Sequence, residues 1–220
     1  MTIAEELVKI LTQASKGSAR SKQVRIGPSE IGGCARKTWL KLHNAPRTNP
    51  DTVALSAVWG TAIHSFIESA FHKQDPFGDK YVLEAEWIAG DLMGHVDLYD
   101  VENQEVVDWK TTTKKNLGSN FPSQQQRWQV QLYGYLMVAN GKPVKNVTLV
   151  GIARDGDERH VVSHTEPYDS TIAEEALNWL KSVKETDVAP QPEKPARFCR
   201  DYCGFFDATG EIGCPSSGGR

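Results

Sequence analysis

Three short pieces of the chain carry groups that could work on a phosphate. The first is Trp59-Gly60-Thr61-Ala62-Ile63-His64, with Glu68 one turn further on. The second is Gly94-His95-Val96-Asp97, and the third is Val106-Val107-Asp108-Trp109-Lys110. Residues two apart on a strand share a face, so a strand over the third piece points Asp108 and Lys110 the same way. A hairpin brings Asp97, on the strand before, beside Asp108. Two carboxylates held close repel each other and favour a cation between them. They are hard oxygen ligands that suit Mg²⁺ or Mn²⁺, and an imidazole from His64 tilts the set toward Mn²⁺. A bound divalent cation lowers the pKa of its water and holds a phosphate oxygen. Lys110 then orients that water or neutralises charge developing on the phosphate. The chemistry implied is hydrolysis of a phosphodiester. Singly, each piece has a plainer reading: an Asp at a strand end is commonly a turn former, and a His on a helix is commonly an ordinary surface or core residue. Their joint order carries the weight: a helix with His, a strand with Gly-x-x-Asp, a hairpin, then a strand with hydrophobic-Asp-x-Lys.

The elements that must position these groups follow from periodicity. Residues 3–14 read as an amphipathic helix, followed by a polar linker, SKGSARSKQ. Residues 29–43 read as helical with Ser29 at the N-cap after Pro28, and residues 53–73 as a longer helix ended by Asp75-Pro76-Phe77-Gly78-Asp79. The period then changes to two: strands are expected over 81–89, 92–100 and 104–110. A basic, Gln-rich helix is expected over 123–139, with Gly141 and Pro143 as stop signals. Strands over 146–153 and 159–164 flank the turn Arg154-Asp155-Gly156-Asp157, and a helix over 171–185 starts at Asp169 or Ser170. Pro190, Pro192 and Pro195 lead through an extended segment into a Cys-rich tail over 197–216. The order implies an α/β (α+β) domain with a central mixed β-sheet flanked by helices. The expected division is an N-terminal helix and linker over 1–25 and one domain over 26–220.

The 220 residues are 39% hydrophobic and 24% charged, which excludes a disordered or fibrous chain. No apolar run reaches the roughly 20 residues that a membrane helix needs. Glu5 and Glu6 make the N-terminus a poor secretory signal, so the expected compartment is the cytoplasm and no membrane partner is expected. The net charge of −3 conceals blocks: residues 20–47 carry +6, residues 48–108 carry −10 and residues 109–153 carry +6. Basic blocks flanking an acidic one fit an acidic site set in polyanion-binding surface, although solvated charge faces also produce blocks.

His64, Asp97, Asp108-Trp109-Lys110 and the run Gln129-Val130-Gln131-Leu132-Tyr133 together resemble the PD-(D/E)xK nuclease superfamily, specifically its RecB-like branch. That branch has a His in an early helix, a Gly-x-x-Asp strand, an Asp/Glu-x-Lys strand and a Gln-x-x-x-Tyr helix. The last motif fits at Gln129/Tyr133 or at Gln131/Tyr135. The first register fits better, because Leu136, Met137 and Val138 follow it. The resemblance covers residues 34 to 214 and implies a restriction-endonuclease-like core. It implies His64, Asp97 and Asp108 as metal ligands with the Trp109 carbonyl, Lys110 as the catalytic lysine, and Gln129 and Tyr133 near the scissile phosphate. Glu84 and Glu86 lie on the preceding strand, where either could face the site; an exposed strand carboxylate is the plainer reading, and both are left out. Arg36, Lys37, Lys114, Lys115 and Arg127 are candidates for DNA-backbone contacts, and Trp39 or Trp128 for stacking on an unpaired base. The implied activity is a metal-dependent DNA exonuclease acting on single strands or duplex ends, in recombination, repair or CRISPR-type adaptation. A non-catalytic DNA-binding subunit on the same fold is the rival, and the presence of Asp97, Asp108 and Lys110 argues against it.

The four cysteines are Cys34, then Cys199, Cys203 and Cys214. In a cytosolic chain, four such residues suit a metal better than disulfides, and four thiolates satisfy either Zn²⁺ or a 4Fe–4S cluster. The one-plus-three arrangement, with Arg36, Lys37 and Trp39 just after the first Cys, resembles the iron–sulfur staple of RecB-like nucleases such as the CRISPR-associated adaptation nucleases and the AddB nuclease domain. The three- and ten-residue gaps between the late cysteines depart from the commoner pattern and keep Zn²⁺ as the alternative.

Overall fold

The structure is a computed structural model that describes residues 2–16, 25–49 and 55–217. The chain divides into two compact units: one comprises Met1–Arg25, Cys34–Thr61 and Val183–Arg220, the other Ile26–Gly33 and Ala62–Ser182.

The second unit carries the sheet. Its five strands are β1 (Tyr81–Ala89), β2 (Leu92–Asp100), β3 (Glu105–Thr112), β4 (Asn146–Ala153) and β5 (Val161–Pro167), arranged side by side in that order. β3 and β4 run parallel, and every other neighbouring pair is antiparallel. The parallel step requires a crossover. The segment between β3 and β4 contains α4 (Lys114–Asn120) and α5 (Gln124–Ala139). This is the mixed sheet and flanking helices of a restriction-endonuclease-like fold.

α5 starts where Ser123 and Gln126 cap each other. The Ser123 hydroxyl accepts the Gln126 N–H, and the Gln126 side chain accepts the Ser123 N–H. On β3, Val107 and Trp109 face α3 (Leu55–Gln74), packing with Leu98, Ile67 and Phe71. Alternation turns Val106 and Asp108 to the opposite face, where α5 lies: its Gln129 side chain bonds Asp108. On α3, His64, Ile67 and Phe71 fall on one stripe, so the helix that fills the core also carries the histidine.

The expected helix over 29–43 is instead two pieces. A 3₁₀ turn covers Pro28–Glu30, and α2 (Ala35–Leu42) begins only after Cys34. Gly32 breaks the run with a φ of 76°. A Cβ there would stand 2.7 Å from the Trp128 ring, so the turn sits directly on α5. β5 begins later than expected because Glu158–His160 form a 3₁₀ turn capped by the Asp157 side chain. α6 (Ser170–Glu185) is capped by Asp169, which accepts the Thr171 N–H.

The other unit is built from the two ends of the chain. α1 (Ile3–Lys16) carries exposed Ile3, Leu7 and Ile10. The linker expected after it lies largely outside the described residues. Segments 34–49 and 186–206 are sewn together: Ala35 N–H donates to Glu193, Arg36 to the Pro190 carbonyl, the Trp39 indole to the Thr186 carbonyl, and Asn49 to the Arg200 and Cys203 carbonyls. The segment through Pro190, Pro192 and Pro195 contains no helix, as expected, and the Cys-rich tail opens with a short one, α7 (Ala196–Tyr202). Cys199, Cys203 and Cys214 are buried with Leu40 and Phe205, and Cys34 is half-buried. None of the four forms a disulfide. The long gap before Cys214 is organised by Asp207, whose carboxylate accepts the Thr209 hydroxyl and the N–H groups of Thr209, Ile212 and Gly213. No helix among the described residues is long and apolar enough to cross a membrane.

Candidate active site

The β2–β3 ladder pairs Asp100 with Glu105, Tyr99 with Val106 and Leu98 with Val107, and then stops. The next residues in that register are Asp97 and Asp108. Here a side chain replaces the backbone: Trp109 N–H donates to Asp97 Oδ2 at 2.9 Å. The strands part where the two carboxylates face each other, and both side chains are almost fully buried.

Each acid has its own partners. His64 Nδ1 lies 3.4 Å from Asp97 Oδ2. Lys110 Nζ lies 2.6 Å from Asp108 Oδ2, as expected for two residues on one face of a strand. Gln129 Nε2 donates to Asp108 Oδ1 and to the Tyr133 hydroxyl, both at 3.1 Å. The Gln129/Tyr133 register therefore faces the carboxylates. Gln131 instead bonds Glu166, the Pro167 carbonyl and the Asp169 N–H, tying α5 to the β5 end and the start of α6.

These surroundings push the two acids apart. Burial alone would raise Asp97, but the hydrogen bond and charge of His64, the charge of Lys110 and the Trp109 N–H hold it below the usual carboxylate range. Asp108 is pushed up to about 6, chiefly by burial, against the charge of Lys110 and with the repulsion of Asp97. A pair split in this way is a mark of acid–base or metal chemistry.

The Gly of Gly94-x-x-Asp97 has a steric reason. A Cβ there would meet Tyr133 Cε1 at 2.9 Å, Leu136 at 3.0 Å and Pro28 at 3.1 Å. Gly94→Ala is therefore expected to displace Tyr133 and with it Gln129. Overpacking of this kind costs about 1–3 kcal/mol. A thermal midpoint equal to that of the wild type would show that α5 yields without cost.

Glu84, left out on the sequence alone, lies beside His64 and Asp97. Its carboxylate, His64 and Asp97 offer ligand atoms that all lie within 4.8 Å of one another, the one such trio among the described residues. Strand alternation alone could not separate Glu84 from Glu86, which is exposed and sits 3.4 Å from His95. The structural signal is a φ of 46° at Glu84, which a residue with a side chain rarely adopts.

The expected DNA-contact residues divide. Lys37, Lys114 and Lys115 are exposed. Arg127 is part-exposed and paired: Nε and Nη2 both donate to Glu166 Oε2, at 3.0 and 2.8 Å. Arg36 is engaged at the Pro190 carbonyl. The Trp39 ring is stacked on His43, and Trp128 packs near Trp179 under the Gly32 turn, so neither stands free for a base.

Residues 34–207 match the PD-(D/E)XK nuclease superfamily. This chain belongs to that superfamily. The match takes in His64, Asp97, Asp108, Lys110, Gln129 and Tyr133, and its limits fall close to Cys34 and Cys203. Among solved structures, SSO0001 is similar over 86% of this chain and 90% of its own, with a TM-score of 0.56 and 18% identity. The alkaline exonuclease LHK-Exo from Laribacter hongkongensis is similar over 74% of this chain and 88% of its own, with a TM-score of 0.50 and 10% identity. At these identities the likeness concerns the fold. No curated protein matches the sequence.

Proposed function

We propose that this chain is a divalent-metal-dependent DNA exonuclease of the RecB-like branch, with a 4Fe–4S cluster on its four cysteines. The observation that carries the nuclease reading is the Asp97–Asp108–Lys110 group where β2 leaves β3, held from α5 by Gln129. Superfamily membership makes the chemistry phosphodiester hydrolysis. The name of one fold relative, an alkaline exonuclease, supports action at DNA ends. Recombination, repair or CRISPR-type adaptation would each supply such ends.

The donor set fits a hard divalent cation: buried carboxylates from Asp97 and Asp108, with the His64 imidazole beside them. The Trp109 carbonyl is the further oxygen that the family pattern offers. When bound, Mg²⁺ or Mn²⁺ supplies a nucleophilic water near neutral pH and a counter-charge for the phosphate. The protein's own groups do the rest. Asp97 stays charged because His64, Lys110 and the Trp109 N–H stabilise its anion. Lys110, next to Asp108, neutralises charge as it grows on the phosphate oxygens. Gln129 fixes the orientation of the Asp108 carboxylate, which burial alone would not set. Lys37, Lys114 and Lys115 hold backbone phosphates, so binding is salt-sensitive and largely independent of sequence.

Four thiolates satisfy either a 4Fe–4S cluster or one Zn²⁺ ion. The one-plus-three arrangement of Cys34 with Cys199, Cys203 and Cys214 supports the cluster, and Zn²⁺ is the alternative. The four are close enough to interact: burial and the thiols of Cys203, Cys214 and Cys34 push Cys199 up to about 11.

End-labelled single- and double-stranded DNA incubated with Mg²⁺ or Mn²⁺ tests the reading. Stepwise loss of label from ends, with closed circles left intact, is expected; cutting of closed circles would make the protein an endonuclease. Activity with Mn²⁺ should match or exceed that with Mg²⁺, because a site with an imidazole favours the more azaphilic cation. His64→Ala should narrow the gap between the two metals, and a variant that behaves like the wild type with both would leave His64 a structural role only.

A further inference from the structure

We propose that Glu84 is a direct ligand of the divalent cation, holding it from β1 together with His64 and Asp97. The inference rests on the cation-dependent reading of this site and adds a ligand from a strand that the Asp-x-Lys motif does not include.

Geometry is the first ground. An octahedral cation with bonds of about 2.0–2.1 Å keeps its ligand atoms about 3 to 4.2 Å apart. The atoms offered by His64, Glu84 and Asp97 all lie within 4.8 Å of one another, so small rotations bring them onto one ion. Asp108 is differently engaged: Lys110 and Gln129 each approach one of its oxygens. The trio already gathered thus includes Glu84.

The ladder is the second ground. β1 and β2 pair from Tyr81 and Asp100 to Ala89 and Leu92 in one unbroken register that would set Glu84 opposite Asp97. Leu83 pairs with Leu98 and Ala85 with Val96 on either side of that position. Glu84, inside β1, takes a left-handed backbone there, which gives its side chain a direction that alternation alone would not. Glu86, two residues on, stays paired with His95 in the ladder, is exposed, and approaches that imidazole.

Charge is the third ground. Asp97 and Asp108 with Lys110 sum to one negative charge, which leaves a divalent cation over-compensated. Adding Glu84 makes the occupied site neutral, the state that a buried site favours.

The test is Mn²⁺ titration of the full chain without DNA, followed by the paramagnetic resonance signal of free Mn²⁺. Wild type, Glu84→Gln, Glu84→Asp, Glu86→Gln and Asp97→Asn are compared, with folding checked by circular dichroism. Glu84→Gln should weaken Mn²⁺ binding about tenfold or more, an effect at least as large as losing an outer-shell partner. Glu84→Asp, which keeps the charge on a shorter arm, should fall between Glu84→Gln and wild type. Glu86→Gln should bind as the wild type does. Wild-type affinity in both Glu84 variants, with loss in Asp97→Asn, overturns the assignment. If Glu84→Gln does not fold, Glu84→Asp decides alone: unchanged affinity overturns it and weakened affinity supports it. End-labelled DNA cleavage is measured in parallel. Mn²⁺ held through Glu84 with no cleavage of any DNA refutes the nuclease reading and leaves the ligand standing. Cleavage with unchanged affinity in the Glu84 variants does the reverse. A wild type that binds no Mn²⁺ overturns both.

Discussion

Asp108→Asn is expected to abolish DNA cleavage and, in metal-free protein at about pH 7.5, to raise the thermal midpoint. The two effects share one cause. Asp108 is fully buried, and burial pushes its carboxyl up to about 6 from an ordinary 3.8. A group with a raised folded pKa holds its proton more tightly in the folded chain. Its contribution favours folding below the ordinary value and is lost as pH rises through about 6. Above that range the metal-free protein carries a buried charge that Lys110 only partly offsets. Asparagine keeps the shape and the Gln129 contact and removes the charge. Lys110 is 22% exposed, so its ammonium can turn to water. The midpoint should then rise by a few degrees and become less sensitive to pH between about 5 and 8. DNA binding should persist, because Lys37, Lys114 and Lys115 are untouched. Lys110→Ala should also slow cleavage, by roughly 10²–10³, the usual cost of losing a charge-stabilising group in a desolvated site. Cleavage by Asp108→Asn at the wild-type rate would remove Asp108 from the active site. A lowered midpoint would mean that its charge stabilises the fold.

The second large effect concerns the cysteines. Replacing any one of the four with Ala should cost metal content and thermal stability together, because the binding free energy of such a site is folding free energy. The four proteins should resemble one another, each having broken the same closed site. Proteolysis of the segments 34–49 and 186–206 should accelerate first, since these are joined by hydrogen bonds and by the buried cluster around Cys199, Cys203 and Cys214. Loss of cleavage should follow from unfolding. Absorption near 400 nm in anaerobically purified protein, with iron rather than zinc by elemental analysis, identifies the group. Cys34→Ala with full metal content and stability, beside tail variants that lose both, would mean a local tail site with a different fourth ligand.

Much of this arrangement was legible in the sequence because strands announce themselves by alternation. The hairpin of β1 and β2, and the Asp-x-Lys face of β3, follow from a period of two and from turn residues at Gly90-Asp91. His64 stood out in the sequence by its place in the joint order, on a helix ahead of the Gly-x-x-Asp and Asp-x-Lys strands. What was missed depends on distant partners or on backbone geometry. Glu84 and Glu86 look alike in a strand, and only a left-handed backbone distinguishes the first. Arg127 reads as a free cation, yet its partner Glu166 is on β5, far along the chain. Gly94 reads as a motif letter, whereas its reason is that a Cβ there would run into the Tyr133 ring. α2 starts late because Gly32 must let Trp128 close, and nothing local to residues 29–43 says so.

The amide of Trp109 makes the site observable without substrate. Most amides in a sheet donate to carbonyls and sense only strand geometry. This one donates to the Asp97 carboxylate, so the electron density on that oxygen sets the shielding of its proton. A fully charged, metal-free carboxylate pulls the proton strongly and moves its resonance downfield. A cation that withdraws density from the same carboxylate relaxes that pull and moves the resonance back. One backbone signal would then track site occupancy in real time, with no label attached to the catalytic groups and no DNA in the tube.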